Sequence, residues 1–172
     1  MITATTSRRG LVLCALTMVM AFLLAALPAA PAYAAPPPVP KHSGTVRRIV
    51  YDRSAQRVWL VKANETVVAT HLVSGHLHGT LPAVGRYRVR SKSRYTSSLD
   101  GSVSMEYMVR FVYGNTRWIG FHSIPRDRSG RLIQSHSKLG TPTSSGCIRQ
   151  ALRAAGRLYD FARIGTRVTV VP

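Results

Sequence analysis

From residue 45 onward, runs of β-branched and aromatic residues alternate with short polar interruptions. Residues 46–51 (Val-Arg-Arg-Ile-Val-Tyr) and 57–61 (Arg-Val-Trp-Leu-Val) flank the turn-forming Asp52-Arg53-Ser54-Ala55-Gln56, which predicts a hairpin. Residues 66–73 form a further strand candidate after the turn-like Lys62-Ala63-Asn64-Glu65. In 86–90 the order Arg-Tyr-Arg-Val-Arg has the period of a strand with one covered face, so Tyr87 and Val89 face inward and the arginines face water. Residues 105–113, 118–122 and 167–171 continue the series. One segment has a helical period. In 148–161, Ile148, Leu152, Ala155, Leu158 and Tyr159 share a face, and Arg149, Arg153 and Arg157 form a separate row. The pattern predicts a mainly β chain with one main helix.

The first 34 residues differ from the rest. Arg8 and Arg9 precede an uncharged apolar run at 11–27, and Ala32-Tyr33-Ala34 places small residues at the −3 and −1 positions of a cleavage site. The run is short of the roughly 20 residues that span a bilayer. Residues 1–34 are therefore expected to be a signal peptide, and the protein to be exported and wall-associated or secreted. Ser7-Arg8-Arg9 also resembles a twin-arginine signal, so the export route stays open. Residues 35–44 are proline-rich and predict an extended tether. Residues 45–172 are the size of one domain with its own core. The full chain carries 24 Lys+Arg against 6 Asp+Glu, a net +18. Without Arg8 and Arg9 the balance is 22 against 6, or +16. Such a field attracts polyanions. An exported protein meets anionic wall polymers rather than nucleic acid, although charge alone does not separate binding from solubility. Nothing here gives an oligomeric state.

Of the two cysteines, Cys14 lies in the removable segment, which leaves Cys147 without a disulfide partner. An unpaired cysteine in an exported protein is a reactive thiol or a cross-link point. Cys147 follows Ser144-Ser145-Gly146 at the head of the predicted helix. The unpaired N–H groups and dipole of a helix start lower a thiol pKa and can hold an oxyanion. A thiol nucleophile needs a base. His122, at the end of the strand-like 118–121 and followed by Ser123, is the best placed candidate. The plainer reading of a lone histidine is a polar residue satisfied by hydrogen bonds. His71, His76 and His78 form a loop cluster, and a His-x-His pair can bind zinc. No carboxylate or cysteine lies beside them in sequence, so neither metal nor cofactor is expected. Arg126, Arg128 and Arg131 form a basic loop near the proposed site.

These motifs together resemble the YkuD-type L,D-transpeptidase catalytic domain. That family's signature is a histidine, a loop, then Ser/Thr-His-Gly-Cys, a hydrophobic residue and Arg or Asn. His122-Ser123 is similar to its first part and Ser144-Ser145-Gly146-Cys147-Ile148-Arg149 to its second. Residues 48–60, the segment from Gly75 through 81–89, and Met105-Glu106-Tyr107 resemble its upstream strands. The resemblance implies a β-sandwich with the helix following the cysteine. It implies Cys147 as nucleophile, His122 as base and Ser123 as its orienting group through the backbone carbonyl. It assigns oxyanion and substrate contacts to Gly146, Ser145, Ser144, Tyr107 and Arg149, with the Gly146 and Cys147 amides as donors. The implied partners are peptidoglycan stem peptides, with acylation by carbapenems. The implied reaction is transfer of a stem acyl group, with loss of D-alanine, to an amine or to water. Ser145 stands where the family has a histidine, and the loop 123–143 is longer than usual, with His136 inside it. His136 is expected to be a solvated loop residue rather than a substitute imidazole. Two other readings compete. A wall carboxypeptidase or cysteine peptidase is disfavoured in its papain-like form, because every histidine precedes Cys147. A non-catalytic basic wall-binding module would have Ser145 as the mark of a degenerate site.

Overall fold

A computed structural model describes residues 35–78 and 80–172. The expected signal segment lies outside the described residues. Ten strands and one α-helix follow in chain order: β1 (Arg48–Asp52), β2 (Arg57–Val61), β3 (Val67–Leu72), β4 (Gly85–Arg88), β5 (Ser91–Ser97), β6 (Val103–Tyr113), β7 (Trp118–Ser123), β8 (Arg126–Asp127), β9 (Ile148–Gln150), α1 (Leu152–Phe161) and β10 (Arg167–Val171). They build two sheets. The first has the order β3-β2-β1-β10-β4, and the second β5-β6-β7-β9 with β8 attached to β6. Most neighbours are antiparallel; β1 with β10 and β7 with β9 are parallel.

Alternation of side chains across each strand sends one residue set into the space between the sheets. Ile49, Tyr51, Val58 and Leu60 enter from the first sheet, and Val109, Phe111, Phe121 and Ile148 from the second. The Phe111 and Phe121 rings stack with centroids 5.0 Å apart, and Tyr51 meets Phe121 edge-on at 6.3 Å. Helix α1 packs on β6 and β7 and adds Ala155, Leu158 and Phe161 to the buried set. Tyr87 and Val89 turn inward, with Arg86, Arg88 and Arg90 exposed, as the alternation predicts.

Three features differ from the sequence reading. Within the proline-rich segment, Pro37, Val39 and Ser43 are engaged with the first sheet, where an extended tether was expected. Strands β1 and β2 carry apolar residues on both faces, and the outward set Val50, Trp59 and Val61 needs cover. Val39 lies against it, the Trp59 indole N–H donates to Pro37 O at 2.9 Å, and Thr169 Oγ1 donates to the carbonyl of buried Ser43 at 2.9 Å. Second, the helix begins at Leu152 and not at residue 148. Ile148–Gln150 pairs with β7 instead, which buries Ile148 beside Phe121, while Leu152 is exposed. Third, β5 (Ser-Lys-Ser-Arg-Tyr-Thr-Ser) had no apolar signal. None of its residues is buried, so it records no apolar face, and polar residues suit an edge position. Its side chains hold it in place: Lys92 Nζ donates to Tyr159 O at 2.6 Å and to Ala162 O at 2.7 Å.

Candidate active site

Strands β7 and β9 are paired in parallel, with Phe121 opposite Ile148, His122 opposite Arg149 and Ser123 opposite Gln150. Phe121 and Ile148 point into the core, so the alternate residues His122, Arg149 and Cys147 point the other way. A cleft of about 910 Å³ opens on that side, lined by His122, Cys147, Arg149 and the 144–146 turn. The β5–β6 and β6–β7 turns form its walls. Between Trp118 and His122, Gly120 is required by close approach. A Cβ there would stand 2.3 Å from Val109 O, beside the register shift in β6.

His122 is buried, at 3% exposure. Its Nδ1 lies 2.6 Å from Ser123 O. A carbonyl only accepts, so Nδ1 carries the proton and donates it, which leaves the Nε2 lone pair free. The Ser123 hydroxyl accepts from the Glu106 N–H at 2.9 Å, which fixes the end of β7. Burial pushes the His122 pKa down to about 4; the Ser123 hydrogen bond opposes this, and the charges of Arg149 and Arg110 reinforce it. The ring is therefore a neutral imidazole near pH 7.

Cys147 is a half-buried free thiol whose S–H points at Trp118 O, 3.8 Å away. Burial raises its pKa, against the opposing pull of the Gly120 amide and of Arg117, Arg110 and Arg149. This reverses the direction expected from a helix start, because the helix begins five residues later and its N-terminus does not reach the sulfur. Near pH 7 the cleft therefore holds a neutral thiol and a neutral imidazole rather than a standing thiolate and imidazolium.

The 144–146 turn is held from inside. The buried Ser144 hydroxyl donates to Cys147 O and accepts from the Gly146 N–H at 3.0 Å. Gly146 has φ +148°, a backbone geometry that favours glycine. The Gly146 amide is thus engaged by Ser144 instead of standing free for an oxyanion, and the Cys147 amide is the remaining candidate of the two. Ser145 is exposed at the cleft edge. A second segment buttresses the turn: Ser74 and Arg149 exchange backbone hydrogen bonds at 2.9 Å, and Leu77 N–H donates to Ser144 O at 2.9 Å. Gly75 sits tightly against the first sheet; a Cβ there would be 1.9 Å from Tyr51 OH.

Sequence reasoning missed several residues here. Gln134, buried in the long loop, donates from Nε2 to Ser74 Oγ at 2.8 Å and accepts from Thr143 Oγ1 at 2.7 Å and Arg149 Nη1 at 3.1 Å. It joins the loop, the buttress and Arg149. His76, expected to be a surface loop residue, lines the cleft, as do Arg110 and Arg117. Tyr107 is not among the lining residues. Its ring lies on the helix side, 3.2 Å from where a Gly156 Cβ would be, with Tyr159 at 5.6 Å and Arg94 at 3.8 Å. The cause is the backbone: φ +59° at Tyr107 turns its side chain toward α1. His136 is exposed in a 3-10 turn away from the cleft, and Arg126, Arg128 and Arg131 do not line it. His71 bonds Gln150 Oε1 at 2.6 Å, apart from the edge-on pair His76 and His78. Among the described residues, no three His, Cys, Asp or Glu side chains converge as metal ligands.

The L,D-transpeptidase catalytic-domain (YkuD) family model matches residues 46–170. The chain belongs to this family. Solved structures share its two-sheet fold. An L,D-transpeptidase in complex with imipenem is 22% identical with a TM-score of 0.58, covering 72% of this chain and 58% of that one. L,D-transpeptidase 3 from Mycobacterium tuberculosis, in complex with a faropenem-derived adduct, is 21% identical with a TM-score of 0.55, covering 73% and 60%. A fused Zn-dependent amidase/peptidase/peptidoglycan-binding domain-containing protein from Clostridium acetobutylicum is 25% identical with a TM-score of 0.55, covering 72% and 50%. The chain thus spans half to three fifths of the length of these three proteins. No curated protein matches it.

Proposed function

We propose that this chain is an exported peptidoglycan L,D-transpeptidase that works through a Cys147 thioester. The observation that carries the reading is the placement of His122 on β7 and of Cys147 directly before its partner β9, both lining one cleft inside a family domain. His122 Nε2 takes the thiol proton as the sulfur attacks the carbonyl of the third stem residue. The tetrahedral oxyanion forms near the Cys147 amide. Collapse breaks the C–N bond, the departing D-alanine amine takes the proton from His122, and a thioester remains. An acceptor amine then loses a proton to His122 as it attacks, and the thiolate leaves and is reprotonated. Water in the acceptor's place gives carboxypeptidase activity. The imipenem and faropenem complexes of similar structures support β-lactam acylation of the same sulfur.

Tetrapeptide stems incubated with the protein should release D-alanine and yield dimers, both lost in Cys147→Ala. D-alanine release without dimer formation would assign water as the acceptor. Release retained in Cys147→Ala would refute the thioester route. Export with cleavage after Ala34 is checked by the N-terminal sequence of the secreted form, which should begin at Ala35.

A further inference from the structure

The cleft contains an unbalanced charge. Arg110, Arg117 and Arg149 line it, and no aspartate or glutamate does. The three ion pairs among the described residues, Arg48–Glu65, Arg94–Glu106 and Arg131–Asp127, leave these arginines out. Arg110 is held by the neutral hydroxyls of Ser93 at 2.9 Å and Thr96 at 3.2 Å. Arg149 is held by Gln134 Oε1 and by Thr143 O at 3.4 Å. The Arg117 guanidinium has no hydrogen-bond partner among the described residues, and the residue lines the cleft. Asp100, in one wall turn, is occupied by the hydroxyls of Ser98 at 2.5 Å and Ser102 at 2.9 Å. All three arginines act electrostatically on the Cys147 sulfur. Guanidiniums do not deprotonate, so the excess persists at every working pH, and a walled cleft focuses it.

From this arrangement we infer that the cleft selects acyl donors by charge, with Arg117 as the specificity-determining residue, so that stems with free carboxylates react ahead of the same stems carrying carboxamides. The inference rests on the acyl-transfer reading for its substrate but not for its physics. A free carboxylate supplies the counter-charge that the cleft lacks. A carboxamide of the same shape supplies none, and leaves the guanidinium to water. Arg110 and Arg149 set the background potential from hydrogen-bonded positions, and Arg117, at the β6–β7 turn, has no such restraint.

The test uses the sulfur itself. Cys147 is alkylated with iodoacetate and with iodoacetamide, which differ in charge and share the same thiolate, so the rate ratio cancels thiol ionisation. The ratio should exceed that of cysteine in solution and fall with added salt. Arg117→Gln should lower it about fivefold, the effect of one unit charge at about 4 Å in water. Arg86→Gln, the same charge change on the first sheet, should leave it unchanged. A ratio equal to that of cysteine in solution, or equal losses in the two variants, overturns the inference. Paired stem donors, free acid and amide, should show the same preference, reduced in Arg117→Gln. If no stem reacts while the reagent ratio stays high and depends on Arg117, charge selection stands and the transpeptidase reading falls. If stems react without preference, the reverse holds.

Discussion

Replacing His122 with glutamine tests the electrostatics of the site through stability. The folded ring titrates at about 4, and its unfolded value is 6.5. Above pH 6.5 neither state binds a proton at this residue, and it contributes no pH dependence. Between 6.5 and about 4 the unfolded chain binds a proton and the folded one does not, so stability falls as pH falls. Below about 4 both states are protonated and the loss levels off. At about 1.4 kcal/mol per pH unit, the gap amounts to about 3 kcal/mol. Urea unfolding from pH 7 to pH 3.5 should show this loss in the wild type, beyond whatever His122→Gln retains. The subtraction matters because burial also lowers the His71 pKa and hydrogen bonds to Ser98 and Ser102 lower that of Asp100 to about 2, and both add acid sensitivity of the same sign. NMR of the ring protons gives the titration directly. A His122 midpoint near 6.5, or parallel stability curves for the two proteins, would refute the buried, neutral imidazole.

Other outcomes follow from the packing. Gly75→Ala should cost about 1–3 kcal/mol of unfolding free energy in urea titrations, and distinctly less in the Tyr51→Phe background, because the clashing atom is the tyrosine oxygen. Trp59→Ala should cost about 3–5 kcal/mol if residues 37–43 cover the first sheet as described, and little if they hang free. Gln134→Ala should lower the rate of Cys147 acylation by about 10- to 100-fold through misplacement of Arg149 and the turn, with iodoacetamide alkylation affected far less. Equal losses toward both reagents would reduce Gln134 to a folding role.

The sequence showed the strands whose residues touch the core. The 57–61 and 118–122 runs, and the Tyr87/Val89 alternation, carry burial directly in residue type. It concealed β5, none of whose residues is buried. It also misplaced the helix start. Three residues of strand and the following helix turn give Ile148 and Leu152 a spacing that both periods accommodate, and pairing with β7 is a long-range fact. Cys147 and His122, which line one cleft, could be singled out because each lies in a motif of its own. Gln134, His76 and Arg117 could not, because they come from separate loops that meet only in the folded chain. Tyr107 sits in a recognisable motif, yet one backbone angle turns it from the cleft to the helix. The thiol pKa was misjudged with the helix start, since its direction depends on what desolvates and surrounds the sulfur.

Intact mass after incubation with imipenem tests the central claim most directly. The account predicts one covalent adduct on the wild-type protein, none on Cys147→Ala, and formation slowed about 100- to 10,000-fold in His122→Ala. An adduct that persists in Cys147→Ala, or a wild-type protein that stays unmodified, would contradict it.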